Sequence, residues 1–239
     1  MPTTMNESLN SLDQFKSLSR IGGALYFVLI VCGIYAEIFV LSELVVANDQ
    51  TATANNILSH EKLFRIGIVA HIVTLVCSSF LIGILYRLFK STSEILVIIL
   101  VAFNVVTVAI EGISILFELE TLSILKSKML ASAFSVDQVN AWAFMPIKMQ
   151  SLGYDLALLF FGIACCLISI LIHKSKLFSR LIGHLMFLAG VCYIINSLMA
   201  FLFPVFRGYL LPFILIPCFI AELSLSINMI IVGSRRSDN

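Results

Sequence analysis

Six side chains could do acid–base or ion-pair chemistry from within apolar stretches: Glu37, His71, Glu111, Asp155, His184 and Glu222. Each is surrounded by leucine, isoleucine, valine or phenylalanine. A carboxyl group in such surroundings can hold a proton or bind a cation, and an imidazole can relay a proton or pair with a carboxylate. An ionisable group in hydrocarbon costs about 2.5–3.5 kcal/mol on insertion scales, so such groups are rare and a functional reading is the default. Glu43, Arg65, Glu94, Glu118 and Arg207 lie nearer the ends of their stretches and are expected to snorkel to an interface.

The elements that must position these groups follow from composition. Of 239 residues, 60% are apolar and only 12% charged, and the mean hydropathy is +1.05. A water-soluble domain needs a more charged surface. Six apolar runs, about Ile21–Ala47, Phe64–Phe89, Ile95–Leu119, Leu152–Ile172, Leu181–Pro204 and Tyr209–Val232, are long enough to cross a hydrocarbon core roughly 30 Å thick. Backbone groups in lipid must be paired within the segment, which makes each run a helix. The expected fold is all-α: a polytopic membrane protein with a six-helix bundle as residues 21–233. Residues 1–20 and 234–239 are expected as cytoplasmic tails, and a short, partly helical outer loop follows the first helix. The first run is too long for a cleaved signal and is expected to be retained as an anchor.

Lysine and arginine set the orientation. With both termini inside, the inner segments hold nine (Lys16, Arg20, Arg87, Lys90, Lys174, Lys176, Arg180, Arg235, Arg236) and the outer segments six (Lys62, Arg65, Lys126, Lys128, Lys148, Arg207). Both termini are therefore expected in the cytoplasm, in a cell (inner) membrane. A net charge of +1 gives no footprint for nucleic acid. The six cysteines all fall within predicted helices and form no CxxC pair, so neither a disulfide nor a metal or redox site is expected.

Depth brings the ionisable groups together. At about 1.5 Å per residue, Glu37 lies roughly 15 Å below the outer end of its helix, His71 roughly 9 Å, Glu111 roughly 13 Å and Asp155 roughly 5–8 Å, with Glu222 roughly 20 Å in. His184 falls near the inner end and does not join them. Helix three adds the clearest polar stripe, Asn104, Thr107, Glu111, Ser114 and Glu118, all at helical spacing. The small and polar stripes of the other helices, such as Gly22 with Gly33 or Gly162 with Ser169, read mostly as packing surfaces. Pro212 and Pro217 should kink the last helix beside Glu222.

Such a layer has three readings. The acids can be structural, neutral and hydrogen-bonded. They can line an outward-facing pocket for a small polar ligand or ion, with Glu37, His71, Glu111, Asp155, Glu222, Tyr154 and Asn196 as its candidate wall. Or they can form an intramembrane enzyme site, although one histidine among scattered carboxylates is a weak metal signal, and no H-E-x-x-H, P-loop or GxGxxG is present. An assembly protein with no small-molecule site is a further class. No metal or cofactor is expected. The partners expected are the lipid bilayer and a small polar ligand or ion. A transporter this small would act as a homo-oligomer.

The longest polar run, Val46–Arg65, lies over this layer on the outer side. Asp49 and Arg65 at its ends are the candidates to pin it or to gate what lies below, with Arg65 paired to Glu61 or Asp155. The Leu119–Gln150 stretch is expected as the second outer loop. Ser135-Val136-Asp137-Gln138 is a capping-box match there, and Trp142 is placed at the interface.

Several short motifs occur together in one order: Arg20-Ile21-Gly22-Gly23; Asn48-Asp49 with Thr53-Ala54-Asn55-Asn56-Ile57; Glu61-Lys62-Leu63-Phe64-Arg65-Ile66-Gly67; Gly153-Tyr154-Asp155 with Phe160-Phe161-Gly162; Leu181-Ile182-Gly183 with Ala189-Gly190 and Tyr193-Ile194; and Pro204 and Pro217 with Ala221-Glu222-Leu223. In this the chain resembles the bacterial and archaeal membrane proteins grouped as domain of unknown function 4386, over nearly its whole length. The resemblance implies a six-helix membrane protein and transfers no catalytic residue. Asn104 departs from it, where the resemblance implies an arginine.

Overall fold

The computed structural model describes residues 2–175, 177–203 and 207–234, with side chains for 14–175, 177–203 and 214–233. Among these there is no strand. Helix α1 (Pro2–Ile34) continues into a π-helical segment, Tyr35–Leu41, and a final turn, α2 (Ser42–Leu44). Then come α3 (Gln50–Ser59), α4 (Glu61–Phe89), α5 (Glu94–Leu125), α6 (Lys128–Ala133), α7 (Val136–Ser175), α8 (Arg180–Leu202) and α9 (Arg207–Ser234). Six stretches are long and apolar enough to cross a membrane: Gln14–Leu44, Glu61–Phe89, Glu94–Leu125, Val136–Ser175, Arg180–Leu202 and Ile214–Gly233. The expectations resting on Lys176, Pro204, Arg207, Pro212, Arg235 and Arg236 lie outside the described side chains.

Neighbours in sequence are neighbours in space. α1 packs on α4, α4 on α5, α5 on α7, α7 on α8, α8 on α9, and α9 returns to α1. The ring closes with small residues at its seams, as helix contacts in lipid require, since they let backbones approach. Between α1 and α9, the Ser19 hydroxyl donates to the Met229 carbonyl at 2.9 Å and the Ser226 hydroxyl to the Gly23 carbonyl at 2.9 Å. Between α7 and α8, Gly162 and Gly190 meet so closely that a Cβ on Gly190 would lie 2.6 Å from the Gly162 carbonyl oxygen. Outward faces carry large bare side chains such as Phe80, 64% exposed, and Leu116, 61% exposed. Apolar exposure on this scale suits acyl chains rather than water.

Two connections differ in kind. Val46–Arg65 is largely helical. Asn48 turns the chain with a left-handed φ of 59°, a conformation asparagine tolerates. Asp49 then caps α3, its carboxylate accepting from the Ala52 amide at 2.8 Å. Thr53 fastens α3 to the preceding chain by accepting from the Val46 amide at 2.9 Å. Leu119–Gln150, in contrast, is not a loop. α5 runs on to Leu125 and α7 starts at Val136, so only α6 and its short flanks interrupt the helices. The correction has a local cause. Ser127 caps α6, and Ser135 and Gln138 form the reciprocal box expected, with the Ser135 amide donating to the Gln138 side chain and the Gln138 amide to the Ser135 hydroxyl. Trp142 is half exposed and packs at a tilt against Phe134, with ring centres 4.6 Å apart.

Candidate functional site

The ring encloses a cavity of about 560 Å³, within the range of small-molecule sites. All six membrane-length stretches contribute to its wall. The polar stripe of α5 faces it throughout: Asn104, Thr107, Glu111, Ser114 and Glu118 all line it. Glu37, His71, Tyr154 and Glu222 line it as well.

Glu37 reaches the cavity from the π-helical segment. In a π-helix each turn holds about one residue more than in an α-helix, and such segments recur at functional sites. Here the segment lets two demands be met one turn apart. Glu37 faces the cavity. Val40, fully buried, packs on Gly67 of α4, where any Cβ would come within 2.8 Å of its methyl group. An α-helix keeps residues three and four apart on one face.

Opposite Glu37, His71 is held between two carboxylates. Its Nδ1 lies 2.8 Å from Glu118 Oε1 and its Nε2 3.3 Å from Glu37 Oε1. The Gln150 amide donates to Glu37 Oε1 at 3.3 Å. His71 thereby joins α4 to α5 and to the π-helical segment, and Gln150 joins α7 to the same segment through Glu37. His71, Glu37 and Glu118 form one close electrostatic cluster, in which the ring nitrogens approach the carboxylates without being aligned for hydrogen bonds. Glu118 overturns its reading as a snorkelling end residue. It is 1% exposed, because α5 does not stop at Leu119 but runs two turns further, leaving Glu118 roughly 10 Å from the helix end.

A second polar contact lies elsewhere on the wall. Tyr193 of α8 donates its hydroxyl to Glu222 of α9 in a short hydrogen bond, and Tyr26 of α1 lines the same part of the wall. Glu111 and Tyr154 also line the cavity. Asp155 and Asn196 are buried but are not part of the lining. On α7 the cavity face is Gln150, Tyr154, Leu158 and Phe161, spaced three or four apart. Asp155 sits one residue, about 100°, around the helix from it, nearer the face whose Gly162 meets α8. His184 pairs with His173, ring centres 4.6 Å apart, and takes no part in the lining. Arg65 bonds to Glu61 at 2.8 Å, and Lys126 bonds to both oxygens of the same carboxylate. These exposed groups tie the start of α4 to the end of α5. Among the described residues no cluster of three His, Cys, Asp or Glu side chains could hold a metal ion.

Six membrane-length helices closed around a cavity with four glutamates on a largely apolar wall define a polytopic membrane protein. The chain belongs to the family described as Domain of unknown function (DUF4386), whose profile matches residues 21–233. No curated protein and no solved structure matches it.

Proposed function

We propose that this protein binds, and in doing so moves or holds, a small ligand within the cavity through its carboxylates, exchanging protons as it does so. The observation that carries this reading is the charge of the wall. Four glutamates, Glu37, Glu111, Glu118 and Glu222, face one cavity, and among the described lining residues His71 is the only basic side chain. Four acids with one imidazole leave capacity for protons or for a positively charged or hydrogen-bond-donating guest. A purely structural role for the acids is served by close packing and does not call for a cavity the size of a ligand site.

Gly33 gives a clean test. It lines the cavity, and a Cβ placed there would meet nothing within 4 Å. Gly33→Leu should fill the space and leave the folded protein intact. The wild-type protein, released from gently extracted membranes and examined by native mass spectrometry, should carry a bound small molecule that the variant lacks. A wild-type protein without such a mass, or a Gly33→Leu protein that keeps it, refutes the reading.

A further inference from the structure

The wall has a second property beyond its acids. Most of its remaining surface is apolar or aromatic, including Leu29, Ile82, Phe161 and Leu215. A site for a bare ion or a fully hydrated solute would not surround it with hydrocarbon.

The exposed part of the wall is equally informative. Among the described lining residues only three are exposed: Ile38 (49%), Ile216 (57%) and Phe219 (42%). Every other lining residue is buried or half-buried. All three belong to one pair of neighbours, Ile38 to the continuation of α1 and the other two to α9. That pair is sealed at its other end, where Ser19 and Gly23 bond to Met229 and Ser226. The same seam thus closes tightly toward the chain termini and bears an apolar, exposed rim further along. A rim of isoleucine and phenylalanine, within stretches that span a membrane, faces acyl chains and offers water nothing to bond.

Resting on the reading of the cavity as a ligand site, we infer that its guest is an amphipathic organic cation, an ammonium head on a hydrocarbon body, that enters sideways from the bilayer between Ile38 and the Ile216–Phe219 edge of α9. The head meets the glutamates, with Tyr26, Tyr154 and Tyr193 offering aromatic faces that favour an ammonium. The body fills the apolar remainder. A volume of about 560 Å³ accommodates a drug-sized molecule.

The test uses the full chain in nanodiscs of zwitterionic lipid and three probes. These are dodecyltrimethylammonium, its uncharged carbon isostere with a tert-butyl head, and tetramethylammonium. Affinities of the two dodecyl probes are referred to their concentration in the bilayer. The charged amphiphile should bind saturably and at least about tenfold tighter than the isostere, and Glu111→Gln/Glu222→Gln should erase that preference. Ile38→Trp/Ile216→Trp, which crowds the rim without touching an acid, should slow association at least about tenfold, the larger part of any change in affinity falling on the association rate, as a blocked route requires and a damaged site does not. Tetramethylammonium binding as tightly as the amphiphile would overturn the inference while leaving a small-ligand site standing. Equal binding of the isostere, or saturable binding of none of the three, overturns it as well. Unchanged association in the tryptophan variant overturns the lateral route. The Gly33→Leu comparison independently decides whether the cavity holds any ligand.

Discussion

Removing His71 and its partners one at a time and in pairs should reveal how the central polar unit is held. The structure ranks the two contacts. His71 approaches Glu118 at 2.8 Å, and the Glu118 side chain is 2% exposed; it approaches Glu37 at 3.3 Å, and that side chain is 23% exposed. Buried groups in close contact couple by about 0.5–3 kcal/mol, and a longer, partly exposed charge pair lies toward the roughly 0.2–1 kcal/mol of surface pairs. The double-mutant cycle from H71A and E118A should therefore return a coupling of about 1–3 kcal/mol, and that from H71A and E37A less than about 1 kcal/mol. The cycle cancels the cavity that each truncation leaves on its own. Unfolding of the purified protein in mixed micelles, as the fraction of denaturing detergent is raised, gives the four stabilities each cycle needs. Interhelical hydrogen bonds in membranes average roughly 0.6 kcal/mol. A Glu118 coupling at or below that value, or a Glu37 coupling that equals or exceeds the Glu118 one, would show that His71 is not organised around Glu118.

Three further outcomes follow from the packing and the caps. Gly190→Ala should lose about 1–3 kcal/mol, because the new Cβ would lie 2.5 Å from Cys166 Sγ and 2.6 Å from the Gly162 carbonyl oxygen. Gly83→Ala, where nothing lies within 4 Å, should match the wild type or gain up to about 1 kcal/mol; the same detergent titration reads both, and equal losses would refute the seam. Asp49→Ala should cost about 0.5–2 kcal/mol by uncapping α3, seen as faster amide exchange confined to Gln50–Ser59. Tyr193→Phe should lose about 1–3 kcal/mol by removing a donor from buried Glu222, and Tyr193→Phe with Glu222→Leu should recover part of that loss in thermal unfolding.

Much of this site can be read from residue spacing, and the parts that cannot have physical reasons. The α5 stripe is legible because polar groups that recur at helical spacing in an apolar helix share one face, and in lipid that face must turn inward. Counting residues sets Glu37, His71, Glu111 and Glu222 at compatible depths, and the cavity wall includes all four. Counting misplaces Glu118, because depth is measured from a helix end; hydropathy falls at Leu119, whereas the helix ends at Leu125. Gln150 escapes notice for the same reason, standing at the edge of an expected loop when α7 begins at Val136. On α7 the small-residue stripe marks the seam with α8, and the cavity face lies beside it. The π-helical segment leaves no trace in Tyr35–Leu41, which contains neither glycine nor proline. It is defined by what Glu37 and Val40 touch, and contacts between distant segments are not written in local pattern.

That segment also bears on how such a chain tolerates change in length. A π-helical turn amounts to one residue inserted into an α-helix. Deleting a single residue between Tyr35 and Leu41 would let the segment relax to α geometry, with the helix after it kept nearly in phase, but it would remove the bulge that sets Glu37 and Val40 on different faces. Either Val40 would leave its seat on Gly67 or Glu37 would leave His71. A deletion in the polar turn before Asp49 would cost the Asn48 turn and the Val46–Thr53 bonds, but no side chain there has to keep two appointments on one helix. A one-codon loss at Val46–Asn48, which disturbs only the turn and its bonds to α3, should therefore be milder than one between Tyr35 and Leu41.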